Sequence, residues 1–453
     1  MFSQALQEKT RRDFLKLSAA GVFAGSTTGW MNVLAARAAE TGGAPKGKAK
    51  NAILIWLSGG PSHKDTWDLK PASKGAGDFK PIDTSATGVK ISEHMPKLAK
   101  LMNHGAIIRS MSTGEGAHAR ASYNMHTGYR EGQGGVTYPS MGSFISHEIG
   151  RKDFALPNYV TIGGRSYGAG FLGPKDQPLV ITDPARGVED LRSVVSTGQF
   201  DKRVGLLEEM EKAFYHTYQA ENINDHKTTY NRAVTMMQSK EAKAFDLTQE
   251  SSETKSKYGS SKFAEGCLMA RRLVEVGIPF VEVNLGGWDT HLDIFGRLKD
   301  NLLPTLDGGA GALIADLKER GLLESTLVVI MGEFGRTPHI NTRGTKPGRD
   351  HYPRAWSLAM FGGGVKGGTV HGATDAEGAT VAEGKTSCID FMATVCKVMG
   401  VDSAKENETP SKRPIRIVDK AAKPVDAVIA YIAACGLALG AKPQAASLLI
   451  HVV

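Results

Sequence analysis

The sequence predicts an α/β fold, a mostly parallel sheet covered by helices on both faces and interrupted by a helical insertion. Three observations carry this. Short, continuously apolar runs such as Ala52-Ile-Leu-Ile-Trp-Leu57 and Leu327-Val-Val-Ile-Met331 read as strands buried on both faces. Stretches with apolar residues at helical spacing alternate with them, the pattern of strand–crossover–strand units. The alternation fails only across residues 190–260, which are highly charged and carry helical patterns without a strand signal.

In chain order, Thr10-Arg-Arg-Asp-Phe-Leu-Lys16 precedes a weakly apolar run, Leu17 to Leu34, and a small-residue site, Ala36-Arg-Ala38. This is the layout of a twin-arginine export signal, so residues 1–38 are set apart from the fold and the expected destination is the periplasm or beyond. The first strand, 52–57, stops at Ser58-Gly-Gly-Pro-Ser62. A helix over Met95 to Asn103, a strand over Ala106 to Arg109, a helix over Ala119 to His126 and a strand over Asn158 to Ile162 follow. Within the insertion, helices are expected over Val204 to Tyr218 and Thr229 to Phe245, then a polar loop over Gln249 to Ser261. Phe263, Cys267, Ala270 and Val274 mark one buried helical face, closed by Gly277 before a strand at Phe280 to Val283. A crossover helix, Leu298 to Arg320, should break near Gly308-Gly309 before the strand at 327–331. Trp356 to Phe361 reads as another strand, and Ile389, Met392, Cys396 and Met399 as the last core helix. The α/β domain thus spans 39–420. Residues 421–453 form a C-terminal extension whose apolar part, Ala427 to Leu439, is too short to span a bilayer.

Composition narrows the partners. Without the signal, the loss of five basic and two acidic residues lowers the formal charge from +8 to +5. That is a mild excess with no Lys/Arg-rich run, which argues against nucleic acid and leaves a small or saccharidic partner. Cys267, Cys388, Cys396 and Cys435 show neither CxxC nor Cys/His spacing. Cys388 and Cys396 lie too far apart on one helix to pair, and both read as small apolar core residues.

The chemistry concentrates at predicted strand ends. His63, Asp65 and Asp68 follow the first strand; Asp289, His291 and Asp293 follow the strand ending near Val283; Glu333, Asp350 and His351 follow the strand at 327–331. In an open α/β sheet these ends face the crevice where ligands bind. Oxygen and imidazole donors without thiolate suit zinc, manganese, magnesium or calcium. A fourth element, Gly114-Glu-Gly-Ala-His118 leading into a helix, offers free N–H groups and a positive dipole end to an anion such as phosphate or sulfate.

These motifs carry a resemblance. The export signal, Gly59-Gly-Pro-Ser-His-Lys-Asp-Thr-Trp-Asp68, His126-Thr-Gly128, Ala270-Arg-Arg-Leu273, Gly287-Trp-Asp-Thr-His291, Glu333-Phe-Gly-Arg-Thr-Pro338 and Gly348-Arg-Asp-His351 together resemble the exported bacterial family of domain of unknown function 1501, from residue 10 to about 420. That family is placed in the alkaline phosphatase and sulfatase superfamily. The resemblance implies an alkaline phosphatase-like fold, a divalent metal and phosphate or sulfate ester substrates. Counting back from Thr127 puts His118 where sulfatases carry the cysteine that becomes formylglycine, so that precursor is absent. Ser58 to Gly60 replace the usual first-strand acids, with His63 and Asp65 as substitutes; Glu333-Phe334 stands for the usual Asp-His, and His351 matches the later histidine. The implied ligands are therefore His63, Asp65, Asp289, His291, Glu333, Asp350 and His351. The implied catalytic group is His118, Arg120 and Ser122. Ser122 is a candidate nucleophile beside Ser112 and Thr113, Arg120 an anion clamp, and His118 a ligand or general acid where water attacks directly. The expected function is hydrolysis of sulfate or phosphate esters, with polysaccharide among the candidate substrates. The alternative is a non-catalytic binding protein that keeps the metal or anion pocket without a nucleophile.

Overall fold

The structure, a computed structural model, describes residues 49–191, 193–218 and 221–430. The expected export signal and residues 431–453, with most of the apolar C-terminal run, lie outside the described residues. Eight strands form the central sheet: β1 (Asn51–Leu57), β2 (Gly105–Met111), β3 (Tyr159–Ile162), β4 (Leu179–Ile181), β5 (Phe280–Leu285), β6 (Thr326–Met331), β7 (Trp356–Gly362) and β8 (Thr369–His371). Their spatial order is β8-β2-β7-β6-β1-β5-β3-β4. All pairings are parallel except those of β7, which runs antiparallel to both β2 and β6. The mostly parallel α/β sheet expected from the alternating pattern is what the chain forms.

The helices longer than one turn are α1 (His118–Thr127), α2 (Met141–Ile149), α3 (Thr197–Tyr218), α4 (Glu221–Gln238), α5 (Ser252–Tyr258), α6 (Lys262–Glu275), α7 (Leu303–Glu319) and α8 (Cys388–Met399). Successive residues of a strand face opposite ways, so β1 feeds two cores. Ile53, Ile55 and Leu57 join α6 and α7 on one face; Ala52, Leu54 and Trp56 join α2 and α8 on the other. Val425, Val428 and Ile429 are buried in the second core, so the packed chain runs on to Ala430. Cys267, Cys388 and Cys396 are free and buried. Among the described residues no helix is long and apolar enough to cross a membrane.

Several elements differ from expectation for local reasons. The crossover helix is not broken at Gly308-Gly309; α7 runs straight through them. A Cβ on Gly309 would sit 2.7 Å from the Phe263 ring, so this glycine lets α6 and α7 approach rather than ending a helix. The irregularity lies earlier, in a single π-turn at Leu298–Leu302. The helix expected over Met95 to Asn103 is one turn, Pro96–Ala99, and a 3₁₀ turn, Met102–His104. The polar segment 249–261 contains α5, capped by the Ser251 side chain accepting from Thr254 N–H. Strands β4 and β8 were not foreseen, each being three residues long and at an edge of the sheet. In the insertion, Arg232 of α4 donates to the carbonyls of Pro174 (3.0 Å) and Lys175 (2.7 Å), tying that helix to the segment before edge strand β4.

One buried ion pair links α1 to the sheet. Glu282 of β5 accepts from the Ser166 hydroxyl (2.7 Å) and the Tyr159 hydroxyl (3.0 Å), and lies 3.4 Å from His126 Nε2. Burial opposes charge on both partners, but their mutual attraction outweighs it. His126 is held above its ordinary 6.5 and Glu282 below its ordinary 4.5. The raised histidine contributes stability that is full below 6.5 and lost as pH rises through its folded value. The depressed carboxyl contributes stability present above 4.5 and lost as pH falls. The pair therefore contributes most between those two values, and Glu282→Gln should destabilise the protein more near about pH 5.5 than near about pH 9. Denaturant unfolding at both conditions checks this; equal losses would mean that the two groups are not charged together.

Candidate metal centre

Four segments meet at the carboxyl ends of β1, β5 and β6. After β1 the chain turns through Gly59 (φ 118°) and Gly60 (φ 78°). A Cβ on Gly59 would lie 2.3 Å from the Asp289 backbone nitrogen, so only glycine allows the β1 and β5 exits to touch here. After β5, Trp288 is buried and fixes the strand exit that presents Asp289 and His291. After β6 comes Glu333, fully enclosed, whose Oε1 accepts from Gly59 N–H at 2.9 Å. The chain then returns in a two-residue ladder that pairs His351 with Arg336 and sets His351 back over the sheet end. The fourth segment is the start of α1, whose first residue is His118.

The side chains converge on Asp289. Its Oδ1 lies 3.1 Å from His291 Nε2, 3.2 Å from His351 Nε2, 3.4 Å from His118 Nε2 and 2.6 Å from Arg336 Nη2. His291 Nε2 and His351 Nε2 are themselves 2.9 Å apart. One donor atom each from His118, Asp289 and His351 fits within a 4.8 Å cluster.

The outer contacts fix which ring nitrogen carries the proton. His291 Nδ1 lies 2.7 Å from Asp350 Oδ1, His351 Nδ1 2.8 Å from the Gly116 carbonyl, and His118 Nδ1 2.6 Å from Glu333 Oε1. Carboxylate and carbonyl oxygens only accept, so each Nδ1 donates and each neutral ring turns an Nε2 lone pair inward. Carboxylate–histidine contacts of this kind orient the imidazoles of metal sites. His118 Nε2 and Glu333 Oε2 are buried without a hydrogen-bond partner.

The electrostatics favour an ionised Asp289 carboxylate. Burial raises the Asp289 carboxyl, but the hydrogen bond and charge of Arg336, with His118 and His291, hold it at about 2. Burial likewise opposes ionisation of Asp350, and His291 with Arg343 overcomes it to keep the carboxyl low. Burial pushes His351 down toward the neutral, coordinating form. His118 moves the other way, raised chiefly by its hydrogen bond to Glu333.

Residues 49–429 match the family model described as protein of unknown function, DUF1501. The chain belongs to this family. No curated protein matches it in sequence. Among solved structures it is similar to the PsFucS1 sulfatase of a Pseudoalteromonas species, at 14% identity and a TM-score of 0.40 over 81% of this chain and 70% of that one. It is also similar to a protein in the alkaline phosphatase superfamily from Vibrio parahaemolyticus, at 12% identity and a TM-score of 0.39 over 80% of this chain and 68% of that one. These are likenesses of overall α/β fold.

Of the residues singled out in the sequence, this DUF1501 chain brings together His118, Asp289, His291, Glu333, Asp350 and His351. It does not bring His63 or Asp65 with them. His63 is buried with Nε2 on the Gly378 carbonyl at 2.8 Å. Both Asp65 oxygens are taken by the Arg349 guanidinium, at 2.8 and 3.2 Å, and one also by the Ser62 hydroxyl. Asp65 is committed to Arg349 and Ser62, and among the described residues no contact ties His63 to the cluster, because the glycine turn carries the chain onward before they arrive. Asp68 and Asp293 likewise pair with local cations, Lys70 and Lys346. Arg120 is exposed and bound to Glu115 at 2.7 Å. With Asn124 it lines a cavity of about 590 Å³ on the face of α1 opposite His118. Ser122 lies one turn beyond His118 on the same face, but among the described residues no hydrogen bond ties its hydroxyl to the cluster. The anion-clamp and nucleophile expectations for these two residues therefore find no contact to carry them.

By sequence Arg336 and Arg349 could be anion contacts or ordinary solvated charges; both are fully buried. Arg336 donates to the carbonyls of Gly59 and Gly60 as well as to Asp289, locking the two strand exits together. Its position three residues past Glu333 on a chain still pinned to the sheet end was the available signal.

Proposed function

We propose that this DUF1501 protein is an exported, metal-dependent hydrolase of phosphate or sulfate esters, acting on a small molecule or a saccharide. The observation that carries the reading is the 2.9 Å approach of His291 Nε2 to His351 Nε2 while both Nδ1 positions are committed as donors. Two lone pairs at that spacing repel unless a proton or a metal cation lies against both. Asp289 Oδ1, within 3.2 Å of each, completes a face of three donors. Two imidazoles with one carboxylate match catalytic metal sites that keep a position open for substrate. That donor set suits zinc or another first-row ion better than calcium or magnesium.

When bound, the ion supplies positive charge that stabilises the ester's oxygens as the bond to the leaving group breaks. The chain's own residues do the rest. Asp350 and the Gly116 carbonyl hold the two imidazoles in their coordinating tautomer. Arg336 keeps Asp289 ionised. The first turn of α1 turns N–H groups and the positive end of its dipole toward an anionic ester. Export rests on the segment Thr10 to Ala38.

Elemental analysis of the mature protein, run beside turnover of aryl phosphate and aryl sulfate, tests this reading. Stoichiometric metal with turnover of either ester, lost on chelation and regained with zinc, is expected. Metal without turnover would favour a binding role, the reading to which the untied Ser122 hydroxyl points. A protein isolated without metal, and unable to take it up, would end the proposal.

A further inference from the structure

The His118 ring packs on His351 with centroids 4.3 Å apart, but its two nitrogens have a different set of polar contacts from those of the other two imidazoles. His291 Nε2 and His351 Nε2 lie 2.9 Å apart, whereas His118 Nε2 lies 3.4 Å from Asp289 Oδ1. That Nε2 is buried and has no hydrogen-bond partner. Behind it, Nδ1 lies 2.6 Å from Glu333 Oε1, and Glu333 is held in place by Gly59 N–H at 2.9 Å. An activated side-chain nucleophile has this order of contacts: the reacting atom, a base within hydrogen-bond reach, and a third group that orients the base. A carboxylate on Nδ1 makes Nε2 a more basic and more nucleophilic nitrogen, and stabilises the positive charge that the ring takes on when Nε2 forms a bond. As the first residue of a ten-residue helix, His118 also stands where the N–H groups of α1 favour an anion. The hydroxyl candidates do not compete. Ser112 lies on the wall of the cavity on the far side of α1, and Thr113 is held to the Pro353 carbonyl through its backbone N–H at 2.8 Å.

We infer that His118 is the nucleophile of a two-step displacement, an assignment that rests on the ester-hydrolase reading above. In the first step the Nε2 lone pair forms a bond to the ester's phosphorus, and the bond from phosphorus to the leaving oxygen breaks. The departing oxygen keeps that electron pair and takes a proton from water. His118 then carries the phosphoryl group on Nε2, with Nδ1–H still on Glu333. In the second step water adds to phosphorus, the phosphorus–nitrogen bond breaks with its electron pair returning to Nε2, and inorganic phosphate leaves. Ester and water are the only reactants, and the electron count is the same for a sulfuryl group.

The metal-loaded mature protein, mixed with aryl phosphate and quenched in alkali before steady state, provides the test. The peptide containing His118 should gain the mass of one phosphoryl group, stable in alkali and lost in acid, as phosphorus–nitrogen bonds are. His118→Gly should keep its metal and lose turnover on the order of 10³-fold or more. Added imidazole should restore part of that turnover and release N-phosphoimidazole. A wild-type protein that turns over without an acid-labile group on His118 would overturn the inference while leaving the hydrolase reading intact. A His118→Gly protein without metal would make this residue a ligand and overturn it too. Absence of metal and turnover in the wild type removes the hydrolase reading and the inference together.

Discussion

On the metal-dependent reading proposed above, replacing His351 with alanine should abolish metal binding. With His351 gone, His291 and Asp289 remain as two donors, and a first-row ion held by two protein ligands in an open cleft dissociates readily. Asp289→Ala should do the same, and by two routes. It removes a proposed ligand whose carboxyl is held at about 2, and it leaves the buried Arg336 guanidinium without its anionic partner. A graded comparison comes from Asp350→Asn, which leaves the three donors in place and alters only the group that orients His291. Loss of such an orienting carboxylate lowers metal affinity about 10- to 100-fold rather than abolishing binding. Equilibrium dialysis of the three variants against zinc, with bound metal measured by elemental analysis, should rank Asp350→Asn well above the other two. Full stoichiometry in both His351→Ala and Asp289→Ala would remove these residues from the ligand set.

The parallel core was legible because strands buried on both faces leave a continuous apolar run. β1, β6 and β7 announce themselves in Ile53 to Leu57, Leu327 to Met331 and Leu358 to Phe361. The reversed direction of β7 was not legible, since an apolar run carries no sense of orientation. Nor were β4 and β8, whose half-exposed three-residue strands lack that signature. The site followed the same logic. Asp289, His291, Glu333, Asp350 and His351 stand where strands end, and strand ends are visible. His63 and Asp65 also follow a strand end, yet two intervening glycines with positive φ redirect the chain, and conformation at glycine cannot be read from its neighbours. The tautomer of His351 depends on the Gly116 carbonyl, a backbone group 235 residues away that no side-chain pattern marks.

Arg349→Met should be the most destabilising single substitution near the site, for a reason that chemistry at the metal does not touch. The guanidinium is fully buried and spends its donors on Asp65 (2.8 and 3.2 Å) and on the carbonyls of Thr337 (3.0 Å), Pro338 (2.8 Å) and Gly75 (2.9 Å). Methionine fills much of the same volume but leaves the Asp65 carboxylate enclosed without a counter-charge and the Thr337 and Gly75 carbonyls without a donor, the Pro338 carbonyl keeping Lys64 Nζ at 3.1 Å. Breaking a buried pair in this way costs about 3–5 kcal/mol, far more than the pair itself need contribute, because the remaining charge stays desolvated. The double variant Asp65→Leu with Arg349→Met should recover most of that loss, since it removes the stranded charge along with its partner. Denaturant unfolding of the two single variants and the double variant measures the coupling. Single-variant losses below about 1 kcal/mol would mean that water reaches Asp65 and that the pair behaves as a surface bridge. Arg349 is also the residue before Asp350 and His351. The clamp that stabilises the fold therefore fixes the strand return on which those two groups stand, and the double variant, refolded but unclamped there, should bind metal more weakly than the wild type.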